Sequence, residues 1–90
     1  MVPAIALPDL AEEFLKYLEA RGMSRHTLIN YRIDLESFWK AMQELQIQDL
    51  GAVDHLAIRR YLAELAAKKY ARRTVSRRLS SVRSLYRFLC

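Results

Sequence analysis

The sequence has one cysteine, Cys90 at its last position, which excludes an internal disulfide. The only histidines are His26 and His55, so there is no ligand set for zinc, and neither a structural metal nor a cofactor is expected. No apolar run approaches the roughly 20 residues needed to span a bilayer. Residues 1–6 lack the basic flank and long apolar stretch of a secretion signal. The expected protein is therefore cytoplasmic, with no membrane partner. Glycine-rich phosphate loops, nucleophile sets and metal clusters are also missing, which argues against a stand-alone enzyme. Only two glycines and two prolines interrupt 90 residues rich in Leu, Ala, Arg and Glu, so helices joined by short links are expected. Acidic residues, finally, are missing from residues 66–90, although that stretch carries eight basic ones.

Ninety residues suffice for one core and are too few for a second domain with a reaction centre, so residues 1–90 are expected to form a single domain. The first helix is predicted to start near Pro8 and Asp9, to place Leu10, Phe14, Tyr17 and Leu18 on one side, and to end at Gly22. Ser24 looks like the N-cap of a long second helix, because Leu28, Tyr31, Leu35, Phe38, Met42 and Leu45 recur at steps of three and four. Residues 46–53 read as a connector with Ile47 and Leu50 tucked under the fold and Gly51 allowing a turn. Asp54 is placed to cap a third helix that buries Ile58, Tyr61, Leu62 and Leu65. The fourth helix is predicted from about Arg72 to Leu89, with Val75, Leu79, Val82, Tyr86 and Leu89 as its stripe and Leu85 widening it; Ala71 is a weak cap. The expected architecture is all-α, a compact bundle of four helices.

The net charge of +5 is modest, so its placement carries the information. At about 100° per residue, Arg73, Arg77, Ser80, Ser84 and Arg87 fall along one ridge of the fourth helix, turned away from the apolar stripe. Guanidinium groups pair with phosphates or guanine edges, and short hydroxyls let a helix approach a sugar-phosphate backbone closely. The plain alternative is a solvated face, but such faces normally intersperse acids, and clustered like charge is costly unless a polyanion relieves it. At the start of the second helix, Ser24, Arg25, His26 and Thr27 combine a helix N-terminus with a cation and hydroxyls suited to phosphate. Ser24 also reads as a simple cap and His26 as an ordinary surface histidine.

The stretch Gly22-Met23-Ser24-Arg25-His26-Thr27-Leu28-Ile29-Asn30-Tyr31-Arg32-Ile33-Asp34-Leu35 resembles the opening of the core-binding domain in the tyrosine recombinase and phage integrase family, G-x-S-x-x-T-x-x-x-Y-x-x-D-L. Residues 74–89 resemble that family's closing helix, T-x-x-R-x-L-S-x-x-R-x-x-Y-x-x-L, and the likeness is greatest to the Xer-like branch that resolves chromosome dimers. The resemblance implies a four-helix SAM-like domain forming one arm of a clamp on duplex DNA, with the second and fourth helices at the major groove. It maps DNA contacts onto Arg25, Thr27 and Asn30, and onto Thr74, Arg77, Ser80 and Arg83. Arg83 lies nearer the apolar edge and has bracing of the helix packing as its other reading. The family's reaction uses a tyrosine nucleophile with arginine, lysine and histidine partners in a C-terminal catalytic domain that is expected to be absent from this chain.

The implied partners are duplex DNA, that catalytic domain and other recombinase subunits; by itself the chain is expected to bind DNA and catalyse nothing. The alternative is a helical protein-interaction bundle whose basic face meets an acidic partner or neighbouring subunit. The tyrosines read as core or boundary residues: Tyr31, Tyr61 and Tyr86 on apolar stripes, Tyr17 beside one, Tyr70 in a link. Trp39 and Phe88 sit off the stripes, either exposed for a neighbour or as additional core.

Overall fold

Local devices at the helix ends account for most of the element boundaries. The computed structural model describes residues 7–89; residues 1–6 and Cys90, on which the expectations about a secretion signal and a disulfide bear, lie outside the described residues. Pro8 and Asp9 occupy the first turn of α1 (Leu7–Ala20), where a missing amide is harmless and a carboxylate meets the positive helix end. Helix α2 (Arg25–Glu44) is capped by Ser24, whose Oγ accepts the Thr27 amide at 3.2 Å. Asp49 caps a short 3-10 turn (Leu50–Ala52), accepting the Ala52 amide at 3.1 Å. Asp54 caps α3 (His55–Ala67), accepting the Ala57 amide at 2.9 Å. Helix α4 (Arg72–Leu89) follows Ala71, which offers only its carbonyl, to the Val75 amide at 3.1 Å.

Helices α1, α2 and α3 all end in the same way. The Met23, Ile47 and Tyr70 amides reach back to the Leu18, Met42 and Leu65 carbonyls at 3.2, 2.9 and 3.3 Å, the long bond of a Schellman motif. The motif needs a left-handed residue just before, supplied by Gly22 (φ 89°), Gln46 (φ 62°) and Lys69 (φ 60°). Only the first of these is a glycine. At the other two positions the turn is held by its backbone bonds and by the apolar residue that follows, Ile47 or Tyr70, against the strain of a side chain at positive φ.

Helix α2 is the central element and packs against each of the other three helices. Leu10, Phe14 and Leu18 of α1, Leu35, Phe38, Ala41 and Met42 of α2, Leu50, Ala57, Tyr61 and Leu65, and Val82 and Leu85 of α4 form one buried cluster. Tyr17 is 42% exposed, contrary to the expected stripe, and Leu15 is buried instead. Ile58 and Leu62 are half-buried, while the small Ala57 lets α3 approach closely. Phe88 is additional core: its ring lies 5.2 Å from Phe14 and 4.9 Å from Tyr17. Trp39 is half-buried against the same cluster. Among the described residues no helix is long and apolar enough to cross a membrane.

The face that α4 buries differs from its apolar stripe. Val82 and Leu85 are buried together with Arg78 and Ser81, whereas Val75, Leu79, Tyr86 and Leu89 are only partly covered. The buried arc is turned by roughly 60–70° from the stripe, at 100° per residue. The cause lies on α2, where Asp34 is 1% exposed. Its carboxylate accepts Arg77 Nε at 3.2 Å and Nη2 at 2.9 Å, a bidentate pair, and the Ser81 hydroxyl at 2.7 Å. Arg78 Nε lies 3.8 Å from the same carboxylate, and Arg78 Nη1 donates to Ser37 Oγ at 2.9 Å. Ser37 in turn meets the Tyr61 hydroxyl at 3.2 Å, and the Arg78 guanidinium stacks 4.4 Å over the Tyr70 ring. Burial pushes the Tyr61 phenol up, against the hydrogen bond with Ser37 and the positive charge of Arg78. The polar seam requires α4 to present Arg77, Arg78 and Ser81 to α2, which moves Leu79 to the margin.

Chemical denaturation of five variants checks this packing. Leu85→Ala is expected to cost about 2–5 kcal/mol as a core truncation, and Leu79→Ala clearly less. Asp34→Ala is expected to cost about 3–5 kcal/mol, because it leaves Arg78 buried without a counter-charge. Lys69→Gly and Gln46→Gly should each stabilise by about 0.5–1 kcal/mol through relief of the positive-φ strain.

Candidate nucleic-acid interface

Helices α2 and α4 run antiparallel, since Ser37 meets Arg78, Asp34 meets Ser81 and Tyr31 meets Ser84 in reverse order. The first turn of α2 therefore lies toward the last turns of α4, and the expected site residues divide into two groups. Arg25 is exposed and Thr27 and Asn30 half-buried near the α2 start, at the same end of the bundle as Ser84 and Arg87; Arg25 itself borders α1, in a groove with Glu12, Lys16, Glu19 and Arg32. Arg73, exposed, and Thr74, half-buried, stand at the opposite end of α4. At 1.5 Å per residue, Arg73 and Arg87 are separated by roughly 21 Å, the length of about six base-pair steps. The arrangement is thus a strip along α4 with α2 joining it at one end.

Along that strip the side chains differ in how they are held. Arg73, Ser80, Arg83 and Arg87 are exposed, as is Arg72, which was not among the expected site residues. Among the described residues no carboxylate lies within ion-pair distance of Arg72, Arg73, Arg83 or Arg87. Arg83 points to solvent and does not brace the packing. Ser84 is half-buried and accepts the Tyr31 hydroxyl at 3.5 Å, so it faces α2 rather than standing on the crest. Ser84 and Arg87 also border a shallow groove with Tyr17, Arg21, Met23 and Phe88. Arg77 combines both behaviours: 44% of its side chain is exposed, yet it is anchored on buried Asp34. The hydrogen bond to Asp34 raises the Arg77 guanidinium above its ordinary value, against a smaller burial effect.

At the α2 start, Ser24 acts as the cap, and its hydroxyl donates to Thr27 Oγ1 at 2.9 Å. The α1 and α2 surfaces balance charge locally, as in the exposed pair of Arg32 Nη1 with Glu12 at 2.8 Å. Lys68 at the end of α3 is matched by Glu64 at 3.0 Å. By net charge the positive excess falls on residues 66–90, and six of the eight cations of that acid-free stretch are on α4. No group of three or more His, Cys, Asp or Glu is placed to hold a metal ion among the described residues.

Sequence reasoning missed Asp34, Ser37, Arg78 and Ser81 as a unit. A signal was available: Asp34 falls between Tyr31 and Phe38 inside the apolar arc of α2, where a carboxylate requires donors from a facing element.

Comparison with known proteins places this sequence in a family. The phage integrase N-terminal SAM-like domain matches residues 11–90. The tyrosine recombinase XerC of Halalkalibacterium halodurans is 44% identical over 77 residues, which cover 84% of this chain and 25% of the relative. That of Listeria innocua is 42% identical over 82 residues, 90% of this chain and 27% of the relative. That of Myxococcus xanthus is 39% identical over 85 residues, 93% of this chain and 28% of the relative. The chain thus spans about a quarter of the length of the curated relatives it matches. No solved structure matches it significantly. Four helices with the central α2 locked to a basic α4, together with a match over all but the first ten residues, establish that the chain belongs to the phage integrase N-terminal SAM-like domain family.

Proposed function

We propose that this chain grips duplex DNA for a site-specific tyrosine recombinase, with residues 1–90 acting as one core-binding unit and strand exchange performed by a separate catalytic domain. The carrying observation is that Arg73, Arg83 and Arg87 stand exposed on an acid-free helix with no carboxylate partner among the described residues. Arg83 and Arg87, one helical turn apart, repel one another, and a polyanion relieves that cost. Duplex DNA fits the strip in sign and dimension, since each strand presents a phosphate about every 3.4 Å.

In this reading Arg73, Arg83 and Arg87 neutralise phosphates, with Ser80 between them allowing the helix to sit close and Thr74 at the α2-facing edge of the first turn. Thr27 and Asn30 extend the grip from α2, where the amides around the Ser24 cap favour a phosphate, with Arg25 at the same end of the bundle on the α1 side. Ser84 contributes through Tyr31, by fixing the two helices against each other. The names of the relatives connect the reading to recombination, and other recombinase subunits on the same DNA are the further partners it implies.

Fluorescence anisotropy with a 20-base-pair duplex across a salt series tests the proposal. Affinity should fall with salt, with a log-log slope of about 0.9 for each phosphate neutralised. Replacing Arg73, Arg83 and Arg87 together by alanine should lower the slope by up to about 0.9 per contact removed, without changing the fold. Salt-independent binding, or equal preference for heparin and DNA, would point instead to a helical bundle that meets an acidic protein partner.

A further inference from the structure

Among the exposed arginines of α4, Arg77 alone is held in place. Its Nε and Nη2 form a parallel pair of hydrogen bonds to Asp34, which is itself fixed by Ser81 at 2.7 Å and is almost wholly buried. The side edge of the guanidinium is thereby used up. Its end edge, Nη1 with the outer proton of Nη2, has no partner among the described residues, and the side chain is 44% exposed. Two parallel N–H donors on a fixed plane are the complement of guanine O6 and N7 in a major groove. The charge of Arg77 is also offset at short range by Asp34, which weakens it as a neutraliser of phosphate. Arg73, Arg83 and Arg87 have the opposite character, being uncompensated in charge and unrestrained in rotamer.

We infer that Asp34 is a positioning residue that aims the free edge of Arg77 at a guanine, so that Arg77 reads sequence while Arg73, Arg83 and Arg87 supply affinity without reading it. The inference rests on the DNA-gripping function proposed above and divides the labour within it. Ser81 contributes to the same end by occupying the oxygen of Asp34 that Arg77 Nε also uses.

The test is selection from duplexes with a randomised ten-base-pair core, followed by affinity measurements on all four base pairs at each enriched position. The wild-type chain should enrich guanine at one position. Arg77→Ala should lose that preference, by roughly 5- to 150-fold in relative affinity, and keep the others. Its salt slope should change less than that of Arg87→Ala. Asp34→Asn should lose the same preference with Arg77 still present, its fold being checked by circular dichroism. Should Asp34→Asn not fold, Arg77→Lys decides: it keeps the charge but cannot offer a planar fork, and should lose the guanine preference at unchanged slope. Retention of the preference in Arg77→Lys, or in folded Asp34→Asn, would overturn the inference. Salt-sensitive binding with no base preference in the wild type would overturn it while leaving the DNA-gripping function intact; no binding at low salt would remove that function itself.

Discussion

A carboxylate withdrawn from water is tolerated only where donors surround it, and in this chain that requirement falls on Asp34. Arg77, Arg78 and Ser81 all come from α4, so satisfying one buried charge sets the rotation, the direction and the register of α4 against α2. Hydrophobic burial alone would accept several rotations of α4, since its apolar residues spread over a wide arc. The seam selects the rotation in which Arg73, Ser80, Arg83 and Arg87 stand outward together. The outward strip of charge is therefore a consequence of the buried ion pair.

The same dependence extends to the rest of the bundle. Arg78 continues the seam to Ser37, and Ser37 to Tyr61, which ties α3 to the junction of α2 and α4. Tyr70, which closes the Schellman turn after α3, carries Arg78 on its ring face. At the other end, Tyr86 donates to the Leu50 carbonyl at 2.7 Å and so holds the 3-10 connector under α4. Phe88 completes the closure by packing on Phe14 and Tyr17 of α1. Contacts from α4 thus reach α2, the connector and α1, and the arginine strip is carried on the outer face of a helix anchored to all three.

Much of this was legible in the sequence because it depends on short-range chemistry. Gly22, Ser24 and Asp54 marked helix ends through their own backbone or side-chain properties, and Leu35, Phe38 and Met42 marked the core by spacing. Gln46 and Lys69 gave no sign of their left-handed backbone, because the stabilising bonds come from residues further along and back. Leu79 looked like core and nothing marked Arg78 as buried, because a hydropathy pattern assigns charge to the outside; the partner that reverses the assignment, Asp34, lies more than 40 residues away. The same long-range pairing separated Arg77 from the other ridge arginines, with which sequence spacing had grouped it.

The most direct measurement is an NMR titration of the protein with a short duplex at low and then moderate salt, following backbone amides and arginine Nε–Hε signals together. The account predicts that the Nε–Hε signal of Arg77, which donates to Asp34, is protected from exchange before DNA is added. On titration, shifts should cluster at residues 25–30 and 73–87 and recede as salt rises. An unprotected Arg77 Nε–Hε in the free protein, or shifts confined to α1 and α3, would contradict it.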